Sequence, residues 1–75
     1  SYSDIKQYKI GESSKVIGKN LTELGLPDDF LIILAKRNGE LIKVSGSFEF
    51  MQNDILLILC NSELRYQKII RIYEL

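Results

Sequence analysis

The chain has 75 residues, 45% of them hydrophobic, with ten Lys/Arg against ten Asp/Glu, one cysteine and no histidine. That length allows one domain with one modest core, because so short a chain buries only ~60% of the surface its unfolded form exposes. Without histidine, Ser–His and Cys–His nucleophiles are excluded, and a single Cys60 excludes an internal disulfide. Zero net charge offers no basic stripe for a phosphate backbone, so no nucleic-acid partner is expected.

No run approaches the ~20 apolar residues of a membrane span. The start, SYSDIKQYK, lacks the charged-then-apolar pattern of a signal peptide. The expectation is one cytoplasmic domain over residues 1–75. A core this small gains from a partner chain, and a homodimer is expected.

Residues 5–10 read as a first strand, with Ile5, Gln7 and Lys9 on one face and Lys6, Tyr8 and Ile10 on the other. Gly11 to Ser14 form a polar break. A short helix is predicted over residues 19–24, with Leu21 and Leu24 on one side. Gly25 supplies a left-handed cap, and Pro27 forbids continuation. Asp28 and Asp29 complete a turn without the ligand spacing of a metal site.

Residues 30–35 are apolar throughout, which suits a strand covered on both faces. Asn38-Gly39 is a strong hairpin signal, since a type I′ turn needs positive φ at both positions. Arg37 and Glu40 flank that turn and are placed to pair across it. Arg37 also has a fixed fork of donors suited to phosphate or carboxylate. Residues 41–45 return as the partner strand, and Ser45-Gly46-Ser47 turns the chain. Residues 55–60 form the most buried strand. Asp54 at its entrance is expected to accept hydrogen bonds from turn amides, and Cys60 reads as a small core residue. Ser62 is a helix N-cap with Glu63 in the first turn. Tyr66, Ile69, Ile70 and Tyr73 then form one apolar stripe, and Leu64, Ile72 and Leu75 a second that a neighbour could cover.

The order is strand, helix, strand, strand, strand, helix: an α+β fold, a small βαβββα domain with two buried strands and helices packed on the sheet. The glycines are too scattered to cradle phosphate, and no two acidic residues are spaced as a general acid and base. The residues therefore argue for binding or assembly and against an enzyme, and they call for no cofactor.

Residues from about Ile5 to Lys68 resemble the TrkA-C domain, the C-terminal half of RCK modules. The resemblance rests on Val16-Ile17-Gly18-Lys19-Asn20-Leu21-Thr22-Glu23-Leu24-Gly25-Leu26, on Ile33 to Gly39, and on Gly46-Ser47 and Phe50 followed by Asp54-Ile55-Leu56-Leu57-Ile58. Asn53 stands where the family often has Gly, and Val44 where it often has Pro. Such domains are attached to potassium channels, potassium uptake systems and cation/proton antiporters. Leu26-Pro27 with Ser45-Gly46-Ser47 looks closest to those of potassium/proton antiporters.

The resemblance implies a regulatory, dimerising domain at the cytoplasmic face of the cell membrane, a fragment of a larger transporter. It implies a small-molecule pocket that in some relatives takes cyclic di-AMP. Matched by position, it nominates Ile32, Ile33, Arg37 and Asn38 as ligand-binding residues. Two alternatives stay open: a structural dimerisation module without ligand, which Val44 favours, and the same domain on a different membrane carrier.

Overall fold

The computed structural model describes residues 4–75. Six elements follow in the expected order: β1 (Ile5–Lys9), α1 (Leu21–Leu24), β2 (Leu31–Arg37), β3 (Glu40–Lys43), β4 (Ile55–Leu59) and α2 (Glu63–Ile72). The four strands form one antiparallel sheet in the order β1-β4-β2-β3. The two apolar runs therefore become the central strands, and the short, Lys-bearing β3 lies at an edge, where charge discourages further pairing.

Local chemistry explains the ends of each helix. Asn20 caps α1 through a reciprocal box: its side chain accepts from Glu23 N at 2.8 Å, and the Glu23 carboxylate accepts from Asn20 N at 3.0 Å. The helix thus begins two residues later than the pattern predicts. Gly25 ends it in the left-handed region at φ 60°. Ser62 caps α2 by accepting from Arg65 N at 3.1 Å. Arg65 then reaches Asp29 at 2.7 Å, which ties the helix to the turn before β2.

One core joins these parts. Leu56 and Ile58 of β4 and Ala35 of β2 meet Tyr66 and Ile69 of α2, with Phe30 stacked on Tyr66 at 6.0 Å. Leu21 and Leu24 of α1 pack against the same cluster. Cys60 is buried within it, as the sequence suggests. The second stripe of α2 divides: Leu75 is buried, whereas Leu64 and Ile72 are exposed.

Both helices lie on one side of the sheet, so β2 is not covered on both faces as its apolar run implies. Its burial alternates, leaving Leu31 and Ile33 about half exposed, at 50% and 42%. The physical reason is layer count: with one helical layer, a strand of any composition has one covered face in a single chain. The register sets the open face out in three rows. Ile5, Leu59 and Leu31 form the first; Gln7, Leu57, Leu34 and Lys43 the second; Lys9, Ile55, Lys36 and Leu41 the third.

Residues 46–51 run alongside the approach to α1. Gly18 N donates to Phe50 O at 2.9 Å, Phe50 N to Lys19 O at 3.0 Å and Leu21 N to Phe48 O at 3.0 Å. The Ile-Gly-Lys and Gly-Ser-Phe motifs, far apart in sequence, are thus one structural unit. Thr22 Oγ1 donates to Gly46 O at 3.0 Å, and a Cβ at position 46 would stand 2.5 Å from that hydroxyl. Gly46→Ala is expected to turn the hydroxyl away and cost about 1 kcal/mol. Thermal melts should show a smaller penalty for the same change in a Thr22→Ala background.

Candidate functional site

The hairpin tip forms as its sequence demands, with Asn38 at φ 52° and Gly39 at φ 82°. Arg37 faces Glu40 across the ladder, but the expected ion pair between them is not made. The guanidinium instead grips Asp54: Nε donates to Oδ1 and Nη2 to Oδ2, each at 2.8 Å. Nη2 also donates to Glu49 O at 2.9 Å, and the guanidinium carbon lies 5.2 Å from the centre of the Phe48 ring. Asp54 wins over Glu40 because it is fully buried and its carboxylate needs donors there, while Glu40 is exposed and already hydrated.

Asp54 also accepts from Met51 N at 2.9 Å, the turn-amide role read from its position before a strand. Burial pushes its carboxyl up. The Arg37 hydrogen bonds and the Met51 amide outweigh that and hold the group below the ordinary carboxylate range. Asn53, at φ 72°, supplies the left-handed turn that delivers Asp54 to this place. An Asn there substitutes well for glycine, because its short side chain tolerates that region.

The four residues nominated from sequence divide into two pairs. Arg37 and Asn38 sit at the hairpin, with the Arg37 side chain 27% exposed and Asn38 exposed. Ile32 and Ile33 lie near the other end of β2. Ile33 is exposed at a register shift between Ile32 and Leu34. Ile32 lines a groove of about 320 Å³ with Leu21, Leu26, Pro27 and Phe30. Ile32 and Arg37 are five steps apart along the strand, roughly 16 Å, so one chain does not gather all four around a single cavity. Val44 is half-buried and packs against the core.

Three participants were not singled out from sequence: Phe48 and Glu49, which steady Arg37, and the groove of about 290 Å³ on the open sheet face between Leu34, Leu41 and Leu57. The alternation Ile42-Lys43-Val44, which puts Lys43 on the face opposite its apolar neighbours, was the available signal that this sheet has an uncovered face. The apolar run of β2 concealed it.

Sheet order, hairpin, capped helices and the Gly18–Phe50 connection together define a small two-layer α+β domain. The TrkA-C domain family matches residues 5–71, and the chain belongs to that family. Among solved structures, the fold is similar to the RCK_C domain dimer of S. agalactiae BusR in complex with c-di-AMP. That match has a TM-score of 0.77 and 18% identity, and covers 93% of this chain and 95% of that one. It is similar as well to S. agalactiae BusR in complex with its busAB-promotor DNA, with a TM-score of 0.79 and 17% identity over 97% of this chain and 37% of that one.

The second structure corrects the expectation that nucleic acid is no partner, since a protein carrying this fold in about a third of its length is held on DNA. The neutral charge behind that expectation describes one domain, and it is silent on a longer protein built around the fold. Among the described residues, no helix is long and apolar enough to cross a membrane.

Proposed function

We propose that this domain senses a small symmetric nucleotide of the cyclic di-AMP kind and that two copies of it hold the ligand between them. The observation that carries this reading is the clamp on Arg37. Asp54 and Glu49 engage Nε and Nη2, leaving the Nη1 N–H groups outside the clamp. A guanidinium already fixed in place loses little freedom when it meets a phosphate. One such group from each copy matches the two phosphates of a two-fold ligand. Ile32 and Ile33, too far from Arg37 to share its pocket in one chain, would meet the ligand's bases across the pair.

Membership in the TrkA-C family and the c-di-AMP complex of a protein with this fold support the reading. In it the domain has no catalytic role. Ligand that favours one arrangement of the pair shifts the attached domain between states. That attached domain, by resemblance, is a potassium/proton antiporter in the cell membrane with this domain at its cytoplasmic face. A DNA-binding domain is the rival attachment, given the company the fold keeps in BusR. The full-length sequence decides between them: a series of long apolar spans or a DNA-binding fold upstream.

Calorimetric titration with cyclic di-AMP, AMP and ATP tests the ligand. The expected result is binding of cyclic di-AMP at one molecule per two chains. Arg37→Lys, which keeps the charge and loses the fork, should weaken it about tenfold or more. Asn38→Gly, which preserves the turn, isolates the amide's share. Absence of heat with all three nucleotides overturns the ligand reading. A ligand-free dimerisation module is then what remains, and half-buried Val44 in place of the family's frequent Pro favours it.

A further inference from the structure

The chain has four asparagines, Asn20, Asn38, Asn53 and Asn61, followed in turn by Leu21, Gly39, Asp54 and Ser62. An asparagine loses its amide when the backbone nitrogen of the next residue attacks Cγ, so its fate depends on how firmly both groups are held. At three of the four the structure holds them. The Asn20 side chain accepts from Glu23 N at 2.8 Å, and Leu21 N donates to Phe48 O at 3.0 Å. After Asn53, Asp54 N donates to Met51 O at 3.2 Å, and the buried Asp54 carboxylate is bound by Arg37. After Asn61, Ser62 is fixed as the cap of α2, and its Cβ crowds the closing ring.

Asn38-Gly39 has none of these restraints. Both residues are exposed. Among the described residues, no hydrogen bond fixes the Asn38 side chain or takes up the Gly39 N–H. A Cβ at position 39 would meet nothing within 4 Å, so the space around the tip is open. Glycine, with no Cβ of its own, lets that nitrogen swing towards Cγ. The turn, with Asn38 at φ 52°, has to open for the ring to close, and the Arg37–Glu40 ladder pair below it resists that opening. Only the tip must move, and local opening of a loop tip costs far less than unfolding the core.

We propose that Asn38 is a site of spontaneous deamidation and that the reaction switches off the ligand-facing hairpin. Gly39 N gives its proton to bulk base and bonds to Asn38 Cγ, the Cγ–Nδ2 bond breaks, and ammonia leaves. Water then opens the cyclic imide. Cleavage at Cγ gives aspartate, and cleavage at the backbone carbonyl gives isoaspartate. The net change is amide plus water to carboxylic acid plus ammonia, with no oxidant or reductant. Aspartate keeps the turn, because its short side chain tolerates positive φ, but it sets a negative charge in the residue next to Arg37. Isoaspartate adds a methylene to the backbone, which a type I′ turn does not accommodate. The fold survives either product, since Arg37 stays bound to Asp54 and the tip takes no part in the core. The effect on binding rests on the reading that this hairpin meets a nucleotide's phosphates; the chemistry does not.

Incubation at mildly alkaline pH, followed by intact-mass measurement and peptide mapping, tests the chemistry. The expected result is a gain of about 1 Da located at Asn38, faster as pH rises, with aspartate and isoaspartate both present in the 38–43 peptide. Asn38→Gly should abolish the change. An unchanged mass, or a change at Asn61 ahead of Asn38, overturns the site. Calorimetry on Asn38→Asp tests the switch. That variant should melt as the wild type does and bind cyclic di-AMP about tenfold or more weakly, through like-charge repulsion. Saturating cyclic di-AMP should also slow the modification of the wild type. An Asn38→Asp variant that binds as tightly as wild type overturns the switch and leaves the site standing. A wild type that binds no nucleotide overturns the ligand reading and the switch together, and the mass change at Asn38 decides the site independently.

Discussion

Arg37→Ala is expected to destabilise the domain by about 3–5 kcal/mol, because it strands the fully buried Asp54 carboxylate without its cation. A domain of this length has roughly 4–11 kcal/mol in total, so the variant should stand near the edge of folding. At ~4–8 °C per kcal/mol, its melting temperature should fall by tens of degrees. Asp54→Asn leaves a partly exposed guanidinium instead of a buried charge and should cost less, about 1–3 kcal/mol. Urea unfolding of the two single variants and the double variant gives the coupling directly. If Arg37→Ala were as stable as wild type, Asp54 would not depend on the clamp.

The same pair sets the acid response, and its sign follows from the direction of the shift. In the wild type, Asp54 titrates lower when folded than when unfolded. Its contribution is therefore complete above about pH 4, the ordinary Asp range. It is lost as pH falls through the lower, folded value. In Arg37→Ala burial prevails and the folded value rises, so the penalty is largest at neutral pH and shrinks on acidification. Stability curves of the two proteins between pH 7 and pH 3 should converge. Parallel curves would mean that Asp54 is not the group responsible.

Phe50→Ala should cost about as much, 3–5 kcal/mol, by a different mechanism. Phe50 is fully buried and meets Phe48 edge to face at 5.2 Å, so truncation leaves a cavity that a small core fills poorly. The backbone bonds that join residue 50 to Gly18 and Lys19 do not depend on the ring. Phe50→Leu, which refills most of the volume, should recover the larger part of the loss in thermal unfolding. Equal destabilisation by both would show that the aromatic contact, and not the volume, holds the segment. Because Phe48 also lies under Arg37, a Phe50 variant that remains folded is expected to loosen the Arg37 clamp and weaken ligand binding modestly.

The sequence by itself determined whatever depends on near neighbours in the chain. Asn38-Gly39 dictated the hairpin, Gly25 and Pro27 ended the first helix, Ser62 began the last, and the apolar runs identified the central strands. Each is a contest among residues within one or two turns, so composition and spacing decide it. Only the tertiary structure decided which acid Arg37 would hold. Glu40 was nearer in sequence, but Asp54, 17 residues on, was buried and needed the donor more. Only the tertiary structure showed that both helices share one side of the sheet, leaving the face with Leu34 and Leu57 open in a single chain. Burial is a property of how many layers a chain can supply. This chain is long enough for two, and the apolar residues of β2 and β4 are written for three.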